Sequence, residues 1–414
     1  MPRVDTLIVG AGQAGLALSR ELSAAGVEHV LLERGRVAQR WRERWPSLTL
    51  LTPNWMNRLP GDAPIADLDG YLTRDALIAR LEAYAAATEA PVLERTRVLD
   101  VRRGRDGLLV ATDGGTWRAR NVVVATGAAD VPKLPAVAAG APPEVAQLHA
   151  AAFRSAGELP PGGVLVVGAG PSGQQLALEL RRAGRPVVLA AGRHARMVRR
   201  HRGADAWCWL RRIGELDRTI DEVADPVAAR RAASLVLTGA NGGEDLDLGV
   251  LRRHGVLLAG RLVGWDGATA RFGGDLGAVA AAADARMRRL LDRFEAAHVH
   301  AHAQAARLAF DAAPGPAPLD LGPGVCALDL PAAGISTIVW ATGFARRYDW
   351  LPAEAVGPDG ELRHRRGVTP VPGLMALGLP FQHRRTSHMI GGVGADAAHL
   401  AGLIAGAGRA AVAA

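Results

Sequence analysis

The chain has 414 residues, of which 49% are hydrophobic and 22% are charged, so it can bury the core of one large domain or of two ordinary ones. This composition excludes a disordered or collagen-like protein. The formal net charge is +8, but the basic residues are spread along the chain and only 4% of the residues are aromatic. A nucleic-acid-binding protein is therefore not favoured.

The two cysteines, Cys208 and Cys326, are far apart and form no C-x-x-C motif. The sequence therefore encodes neither a disulfide framework nor a dithiol redox centre. A strand-like run begins within the first residues without a signal peptide, and no apolar stretch reaches the roughly 18 residues of a membrane span. We expect a cytoplasmic protein in a reducing compartment, without a membrane span.

The chain contains the same supersecondary unit twice. Each unit is a strand, a helix and a returning strand, predicted at 6–9, 14–22 and 27–32 and again at 164–167, 173–183 and 187–190. Three further short strands are predicted at 121–125, 337–340 and 374–377. Buried strands separated by helices predict an α/β protein with parallel or mixed doubly wound sheets.

Proline-rich stretches at 131–143 and 314–323 bracket the second unit, which indicates that it is inserted between two parts of the first domain. We therefore predict two dinucleotide-binding, Rossmann-like domains. The predicted boundaries are 1–140 and 325–414 for a discontinuous first domain, 155–320 for the second domain, and about 203–309 for a mostly helical, Ala/Arg-rich insertion within it.

The first unit carries a dinucleotide fingerprint, Gly10-Ala11-Gly12-Gln13-Ala14-Gly15. In the G-x-G-x-x-G pattern the first glycine permits a tight turn, the second lets the backbone approach a pyrophosphate, and the third packs helix against strand. The helix N-terminus adds free N–H groups and partial positive charge. Glu33 ends the next strand, where a carboxylate can accept hydrogen bonds from ribose hydroxyls. This context favours a dinucleotide site over an ordinary turn.

The second unit repeats the pattern as Gly168-Ala169-Gly170-Pro171-Ser172-Gly173, but no acidic residue follows its second strand. The chain there runs Ala190-Ala191-Gly192-Arg193. A carboxylate would repel a 2′-phosphate, whereas an arginine can bind one through paired hydrogen bonds. We therefore expect NADPH at the second fingerprint, with Arg193 as the residue that binds the 2′-phosphate.

Two dinucleotide sites in one chain indicate electron transfer from a nicotinamide to a second, tightly held dinucleotide. The simplest assignment is FAD at the first fingerprint. Hydride transfer to a flavin needs neither a metal nor a protein nucleophile.

Several segments besides the fingerprints resemble the class B flavoprotein monooxygenases, the flavin-containing monooxygenase-like family. The similar segments are Trp41-Arg42-Glu43-Arg44-Trp45-Pro46-Ser47-Leu48-Thr49-Leu50-Leu51-Thr52-Pro53, Leu59-Pro60-Gly61, Ala125-Thr126-Gly127, Val131-Pro132-Lys133-Leu134-Pro135, Ala341-Thr342-Gly343-Phe344 and Gly391-Gly392-Val393-Gly394-Ala395-Asp396-Ala397. They occur in the family's order and span nearly the whole chain except the predicted helical insertion.

The resemblance implies FAD and NADPH as cofactors and O2 as co-substrate. NADPH would reduce FAD, O2 would add at flavin C4a, and the resulting C4a-(hydro)peroxyflavin would deliver one oxygen atom to a small metabolite. The protein would act mainly by positioning the reactants and excluding water.

The resemblance also implies which residues bind the cofactors. For FAD they are Gly10, Gly12, Gln13, Ala14, Gly15, Glu33, Arg34, Trp41, Thr52, Val98, Thr126, Gly127 and Asp396. For NADPH they are Gly168, Gly170, Pro171, Ser172, Gly173, Gln174 and Arg193, with Thr342 and Gly343 at the crossing between the domains. Asp396 would begin the last helix, whose N-terminus would face the pyrimidine edge of the flavin.

The family's linker signature, F-x-G-x-x-x-H-x-x-x-F/W, is present only as His149 and Phe153, because Pro143 and Val145 replace the first Phe and the Gly. A terminal Phe favours N- or S-oxygenation over Baeyer-Villiger oxidation. His149 is a candidate catalytic residue or a plain linker histidine. Asn54 is the nearest match to the family's flavin-side asparagine, or an ordinary turn residue.

Other clusters carry weaker alternatives. His298, His300 and His302 would share a face only on a strand, and no nearby acid or cysteine completes a metal site, so no metal is predicted. Trp207, Cys208 and Trp209 lie where this family often builds its substrate pocket, although core packing explains them equally well. Arg384, within the run 383–388, could meet an acidic substrate near the flavin or belong to a basic loop.

We predict an NADPH-dependent FAD monooxygenase that oxygenates a small metabolite at nitrogen or sulfur. The alternatives are a flavoprotein reductase or dehydrogenase without oxygenation, a Baeyer-Villiger monooxygenase, and a nucleotide-sensing flavoprotein. The expected partners are a small-molecule substrate and O2, without nucleic acid.

Overall fold

The structure, a computed structural model, describes residues 1–303 and 316–412, and the side chains of residues 1–299 and 316–407. The strands in chain order are β1 (Arg3–Val9), β2 (His29–Leu32), β3 (Val92–Leu93), β4 (Val98–Gly104), β5 (Gly107–Thr112), β6 (Gly115–Val124), β7 (Val131–Pro132), β8 (Ala146–His149), β9 (Gly163–Val167), β10 (Val187–Ala190), β11 (Arg200–His201), β12 (Ala204–Asp205), β13 (Leu257–Ala259), β14 (Leu262–Asp266), β15 (Thr269–Phe272), β16 (Ala327–Asp329), β17 (Ile335–Trp340), β18 (Phe344–Ala345) and β19 (Leu374–Ala376).

The α-helices alternate with these strands. In chain order they are α1 (Gln13–Ala24), α2 (Gln39–Arg42), α3 (Arg74–Ala87), α4 (Pro171–Arg182), α5 (Ala206–Arg212), α6 (Pro226–Arg230), α7 (Ala240–Gly243), α8 (Leu248–Arg253), α9 (Leu276–Ala303) and α10 (Gly394–Val412). None of the helices that the structure describes combines the length and the apolar character needed to cross a membrane.

The first sheet has the order β3-β2-β1-β6-β5-β4. A seventh strand, β19, also pairs with β6. Its central strands are parallel, whereas β4, β5 and β6 form an antiparallel meander. The sheet joins the N-terminal part of the chain to β19, because residues 374–376 pair with the carboxyl-terminal end of β6. Helices α1, α3 and α10 pack on one face, around a core that contains Leu16, Leu18, Leu77, Leu81 and Leu400.

The second sheet is fully parallel, in the order β13-β10-β9-β17-β8. All five residues of β9 are buried, as is typical of a strand covered on both faces. Because both parts of the first sheet flank this sheet in sequence, the predicted fold class is confirmed: two Rossmann-like units, with the second inserted into the first.

The observed sheet membership corrects two features of the predicted domain organisation. The predicted first-domain segment at 325–414 includes β17, which pairs with β9 and therefore lies in the second sheet. The strand β8, before the predicted start at residue 155, also lies in the second sheet. Backbone pairing decides which sheet a strand belongs to, and proline-rich composition alone does not predict that pairing.

The predicted helical insertion is helical only in part. It contains α5 to α9, but β13, β14 and β15 also lie within 203–309. Strand β13 completes the second sheet beside β10, and β14 and β15 form an antiparallel hairpin that pairs with β16. Val256, Leu258 and Ala259 are buried against the second sheet, and this tertiary burial selects a strand in an alanine-rich region.

Candidate functional site

The first fingerprint forms a tight cradle between β1 and α1. Gly10 has a φ of +108°, and a Cβ there would lie 2.8 Å from the carbonyl oxygen of Ala125. A Cβ on Gly15 would lie 2.0 Å from the carbonyl oxygen of Gly10, so helix and strand meet at van der Waals contact. A Cβ on Gly12 would meet nothing within 4 Å. The three positions thus provide the turn, the close packing and the open approach that a pyrophosphate needs.

Glu33 lies directly after β2 and closes this cradle. Its Oε2 accepts a hydrogen bond of 2.9 Å from the N–H of Ala11, and its Oε1 accepts one of 2.9 Å from the N–H of Gly35. The residue is only 7% exposed, so these two N–H groups fix the carboxylate at the cavity wall. Each oxygen keeps a lone pair with which it can accept a ribose hydroxyl.

A cavity of about 570 Å³ opens over the first cradle. Ten of the thirteen residues expected to bind FAD line it: Gly10, Gly12, Gln13, Ala14, Glu33, Arg34, Trp41, Val98, Thr126 and Gly127. The same walls include residues that the sequence did not single out, among them Thr96, Arg97, Arg347, Trp350 and His388. An open pyrophosphate approach, a fixed carboxylate and a cavity of this volume together fit an FAD molecule, whose binding residues remain a prediction.

The other three expected FAD residues lie off this cavity. Gly15 lies beneath the cradle. Thr52 donates a hydrogen bond of 2.7 Å from Oγ1 to Oδ1 of Asn57, and its carbonyl oxygen accepts one of 3.0 Å from the same amide. Asp396 lies in the first turn of α10 and is 3% exposed, and its Oδ2 has no hydrogen-bond partner among the described residues.

The second fingerprint repeats the cradle between β9 and α4. Gly168 has a φ of +114°, and a Cβ there would lie 2.5 Å from the carbonyl oxygen of Ala341. A Cβ on Gly173 would lie 1.8 Å from the carbonyl oxygen of Gly168, whereas one on Gly170 would meet nothing within 4 Å. The second turn therefore has the same three-part design as the first.

Helix α4 begins immediately after this turn. Gly170 precedes the helix, and Pro171 and Ser172 are its first two residues. Proline suits the first helical position because that residue's N–H has no intrahelical partner. Gln174 is buried and donates a hydrogen bond of 2.9 Å from Nε2 to the carbonyl oxygen of Ala169, which stabilises the turn.

Two arginines flank the end of β10, where the second cradle would receive a ribose. Arg193 is exposed, and within the described part of the chain its guanidinium forms one long hydrogen bond, of 3.5 Å from Nη2 to the carbonyl oxygen of Arg231. Arg261 follows the neighbouring strand β13, and its Nε lies 3.7 Å from the position of a Cβ on Gly192. The sequence predicted Arg193 but not Arg261, because only sheet pairing brings β13 beside β10.

The two cradles are connected by a short ladder. Strand β18 pairs with β7, whose residues Val131 and Pro132 line the first cavity. Thr342, directly after β17, donates a hydrogen bond of 2.5 Å from Oγ1 to the carbonyl oxygen of Lys133. The N–H of Lys133 donates one of 3.0 Å to the carbonyl oxygen of Gly343. The chain that leaves the second sheet thus builds part of the wall of the first cavity.

Arg44 lies at this junction and lines the first cavity. Its guanidinium carbon is 4.7 Å from the centre of the Phe344 ring, in the residue that begins β18. Burial, and to a smaller extent the neighbouring Arg40, lower the pKa of Arg44. A partly buried guanidinium with an aromatic partner gives the junction positive potential, which suits anionic dinucleotides.

His149 has the contacts of a linker residue. Its Nε2 donates a hydrogen bond of 2.9 Å to the carbonyl oxygen of Gly343, and its Nδ1 accepts one of 3.1 Å from the N–H of Ala151. Burial lowers its pKa, so the ring is neutral with both nitrogens occupied. This geometry favours the linker interpretation: the ring ties the end of β8 to the crossing.

Asn54 and Arg384 also lie away from the cavity lining. Asn54 is 5% exposed, and its Nδ2 donates a hydrogen bond of 2.8 Å to the carbonyl oxygen of Asp67, as expected of a residue that fixes a turn. Arg384 is partly exposed, with its Nη1 3.7 Å from Oδ1 of Asp217. None of the three weak catalytic candidates therefore reaches the first cavity.

The remaining clusters have structural roles in the described chain. Trp207 and Trp209 are buried in an apolar core with Phe294, and Cys208 and Cys326 are unpaired. His298 lies on α9, where alternating residues do not share a face as they would on a strand. The side chains of His300 and His302 lie outside the described residues, and no group of metal-ligating side chains occurs among those described.

His388 is one of the cavity-wall residues that the sequence did not single out. It occurs in the run 383–388, which was considered for its basic charge and for Arg384. Its carbonyl oxygen accepts a hydrogen bond of 3.4 Å from Nε2 of Gln13, and Oε1 of Gln13 accepts one of 3.3 Å from Nε1 of Trp41. No local sequence pattern predicts this contact, because Gln13 and His388 are 375 residues apart.

Comparison with known proteins agrees with this architecture. The sequence model of a family described as pyridine nucleotide-disulphide oxidoreductase matches residues 7–214. A protein called uncharacterized oxidoreductase CzcO-like, from Geobacillus kaustophilus, is 30% identical over 400 residues, which are 96% of this chain and 97% of that protein. Indole-3-pyruvate monooxygenase YUCCA1 of Oryza sativa is 35% identical over 185 residues, which are 43% of this chain and 45% of that protein.

A solved structure shares the fold over almost the whole length. A flavin-containing monooxygenase from Stenotrophomonas maltophilia aligns over 98% of both chains, with a TM-score of 0.65 and 19% sequence identity. The paired cradles described above thus belong to a known two-domain arrangement.

Proposed function

We propose that this chain, which belongs to the pyridine nucleotide-disulphide oxidoreductase family, is an NADPH-dependent FAD monooxygenase of a small metabolite. The overall reaction would consume one O2 and one NADPH with a proton, and would yield the oxygenated substrate, NADP⁺ and water. Nitrogen or sulfur is the favoured target atom.

The proposal rests on one observation. The two cradles have the same backbone geometry, they carry side chains of opposite charge at the ribose end, and the β7–β18 ladder joins them. Glu33 closes the first, which suits the free ribose hydroxyls of FAD, whereas Arg193 and Arg261 flank the second, which suits the 2′-phosphate of NADPH. The ladder of β7 and β18 joins the second sheet to the wall of the first cavity. A pyridine nucleotide and a flavin held this way can be brought within reach of each other.

The protein's own contribution is binding, orientation and exclusion of water. The N-termini of α1 and α4 offer free N–H groups to the two pyrophosphates. Trp41 and Gln13 fix each other at one end of the first cavity. FAD, when bound, would supply the redox chemistry between the nicotinamide and O2. Phe344 and Arg44 contact each other at the junction between the two cradles.

A second candidate is a flavoprotein reductase that passes electrons to an acceptor without oxygenation. It is favoured by one observation, that Asn54, His149 and Arg384 all lie off the first cavity and leave oxygenation without an obvious catalytic side chain. A disulfide reductase with its own dithiol is not favoured, since Cys208 and Cys326 are far apart in the sequence and form no C-x-x-C motif.

Isotope labelling separates the two candidates. The FAD-loaded protein is supplied with NADPH, ¹⁸O2 and a panel of amines and sulfides, and NADPH oxidation, hydrogen peroxide release and product mass are measured together. The monooxygenase predicts a substrate that accelerates NADPH oxidation and gains one ¹⁸O atom. Fast NADPH oxidation with only an artificial electron acceptor, and no labelled product, would instead establish the reductase.

A further inference from the structure

His388 has an unusual environment at one end of the first cavity. It lies in the turn before α10 and belongs to the cavity wall. Its main chain is tied to the first residue of α1 through Gln13, which in turn holds Trp41 of α2. Three separate elements therefore converge on this one end of the cavity.

The imidazole of His388 has no hydrogen-bond partner among the described residues. Its Nδ1 is shielded from solvent and unpaired. Two other partly buried histidines do form ring hydrogen bonds: both ring nitrogens of His149 are bonded, and Nδ1 of His194 lies 2.9 Å from the carbonyl oxygen of Gly192. Nδ1 is closed off from the cavity, whereas Nε2 is not shielded in this way and has no hydrogen-bond partner among the described residues. Nε2 is therefore the ring atom that can meet a partner which the chain does not supply.

The ring is also uncharged under ordinary conditions. Burial, and to a smaller extent the charge of Arg385, lower the pKa of His388 to about 4. In a neutral imidazole Nε2 is a donor or an acceptor, depending on the tautomer, so it can bond either a carbonyl oxygen or an N–H group of a heterocycle. The isoalloxazine ring of a flavin presents groups of both kinds.

The order of the cavity residues indicates which half of a dinucleotide would reach His388. The proposed FAD assignment places the adenosine ribose at Glu33 and the pyrophosphate at Gly12. An extended dinucleotide then continues past Gln13, whose side chain touches both Trp41 and His388. We propose that the His388 imidazole is a hydrogen-bond partner of the flavin half of FAD and positions its ring. This inference rests on the FAD assignment of the first cradle.

Two variants at this position separate hydrogen bonding from packing. His388→Leu keeps the bulk of the side chain but removes both ring nitrogens, whereas His388→Gln keeps a polar group of similar reach. We expect His388→Leu to raise the dissociation constant of FAD about tenfold, to move the visible absorption maxima of the bound flavin and to shift its midpoint potential. His388→Gln should stay within about threefold of the unaltered protein in affinity, because it can still form the bond.

Stability of the FAD-free protein distinguishes this role from a structural one. Since the imidazole is unpaired without a ligand, His388→Leu should leave the unfolding temperature of the FAD-free protein unchanged or raise it. A structural histidine would lower it. His383→Leu is the matched control, because His383 lies in the same turn outside the cavity lining and should leave FAD affinity and spectrum unchanged.

The outcomes are distinct. Unaltered FAD affinity, spectrum and potential in His388→Leu would overturn the inference, as would equal losses in His388→Leu and His388→Gln with a destabilised FAD-free protein. If the unaltered protein itself binds no FAD, the proposed function fails first, and the failure is visible before any variant is made.

Discussion

The two glycine cradles have the same backbone design and opposite charge at the ribose end. In both cradles, a Cβ added to the third glycine would lie about 2 Å from a carbonyl oxygen, whereas a Cβ added to the second would meet open space. The strand after the first cradle ends in the buried carboxylate of Glu33, whereas the strand after the second ends beside the guanidinium groups of Arg193 and Arg261.

This difference separates two tasks that one motif combines. The glycines allow a pyrophosphate to approach a helix N-terminus, and they do so in the same way for any dinucleotide. The residues at the end of the following strand then select among dinucleotides by charge, because a carboxylate accepts ribose hydroxyls and repels a 2′-phosphate. Cofactor identity is therefore decided several residues away from the turn that binds it.

The largest loss of stability is expected at the third glycine of a cradle, where the helix packs directly against the strand. Gly173→Ala places a Cβ 1.8 Å from the carbonyl oxygen of Gly168, so α4 must move, and we expect a loss of about 3 kcal/mol or more in the free energy of unfolding. Gly170→Ala meets nothing within 4 Å and should leave that free energy nearly unchanged, yet weaken NADPH binding at least tenfold. Thermal unfolding and nucleotide titration measure the two quantities.

Gly157→Ala is the control for this pair, since it also has open space around its Cβ but lies outside both cradles. Equal destabilisation by Gly170→Ala and Gly173→Ala would contradict the division between an open and a closed glycine. Gly12→Ala and Gly15→Ala repeat the test in the first cradle, with FAD affinity as the binding measurement.

The next effect concerns the charge of the second cradle. Arg193→Ala and Arg261→Ala should each weaken NADPH binding about tenfold to a hundredfold, because a charge-assisted hydrogen bond contributes roughly 1.5–3 kcal/mol. NADH lacks the 2′-phosphate, so its dissociation constant should change less than about threefold. Titration of the FAD-loaded protein with each nucleotide gives both constants.

Arg271→Ala serves as the surface control, because Arg271 pairs with Asp266 on the β14–β15 hairpin. If only Arg193→Ala discriminates between NADPH and NADH, the role inferred for Arg261 is wrong while the NADPH assignment stands. Equal losses for both nucleotides in both variants would remove the 2′-phosphate assignment itself.

Local sequence patterns predicted the parts of this fold that depend on neighbouring residues. The glycine spacing indicated both turns, and apolar runs indicated β1, β9, β10 and the helices that follow the turns. Those features are set by steric limits on a few consecutive residues, which a pattern of residue types can report.

Features fixed by distant parts of the chain were missed. Strand β13 is a strand because it packs beside β10, although its alanine-rich surroundings indicated a helix. The same pairing brings Arg261 to Gly192, and packing of the last turn against α1 brings His388 to Gln13. No periodicity within any one segment encodes these juxtapositions, so a single sequence predicted the cradles better than the walls around them.

A smaller effect is expected from the carboxylate of the first cradle. Glu33→Gln replaces one acceptor oxygen with an NH2 group that faces a backbone N–H, of Ala11 or of Gly35. We expect FAD affinity to fall about tenfold, which corresponds to one lost hydrogen bond to a charged group. Fluorescence titration of the FAD-free protein measures this, and NADPH binding at the second cradle should not change. A loss confined to NADPH would reverse the assignment of the two cradles.

The smallest effect concerns acid sensitivity, which should be greater at the first cradle than at the second. The folded-state pKa of His388 is about 4, below the ordinary value of 6.5, so between these pH values the unfolded chain binds more protons than the folded one. Protonation therefore favours the unfolded chain, and the free energy of unfolding falls as the pH drops from 6.5 toward 4, by about 1 kcal/mol at pH 5.5. His388→Gln should remove that part of the pH dependence in urea unfolding of the FAD-free protein.

His194 provides the comparison at the second cradle. Burial lowers its pKa as well, but the carbonyl oxygen of Gly192, 2.9 Å from Nδ1, favours the protonated ring and opposes that shift. His194→Gln should therefore reduce the loss of stability between pH 7.5 and 5.5 by less than His388→Gln does. A larger reduction in His194→Gln would contradict this comparison. It would mean that the His388 imidazole is already hydrated in the FAD-free protein.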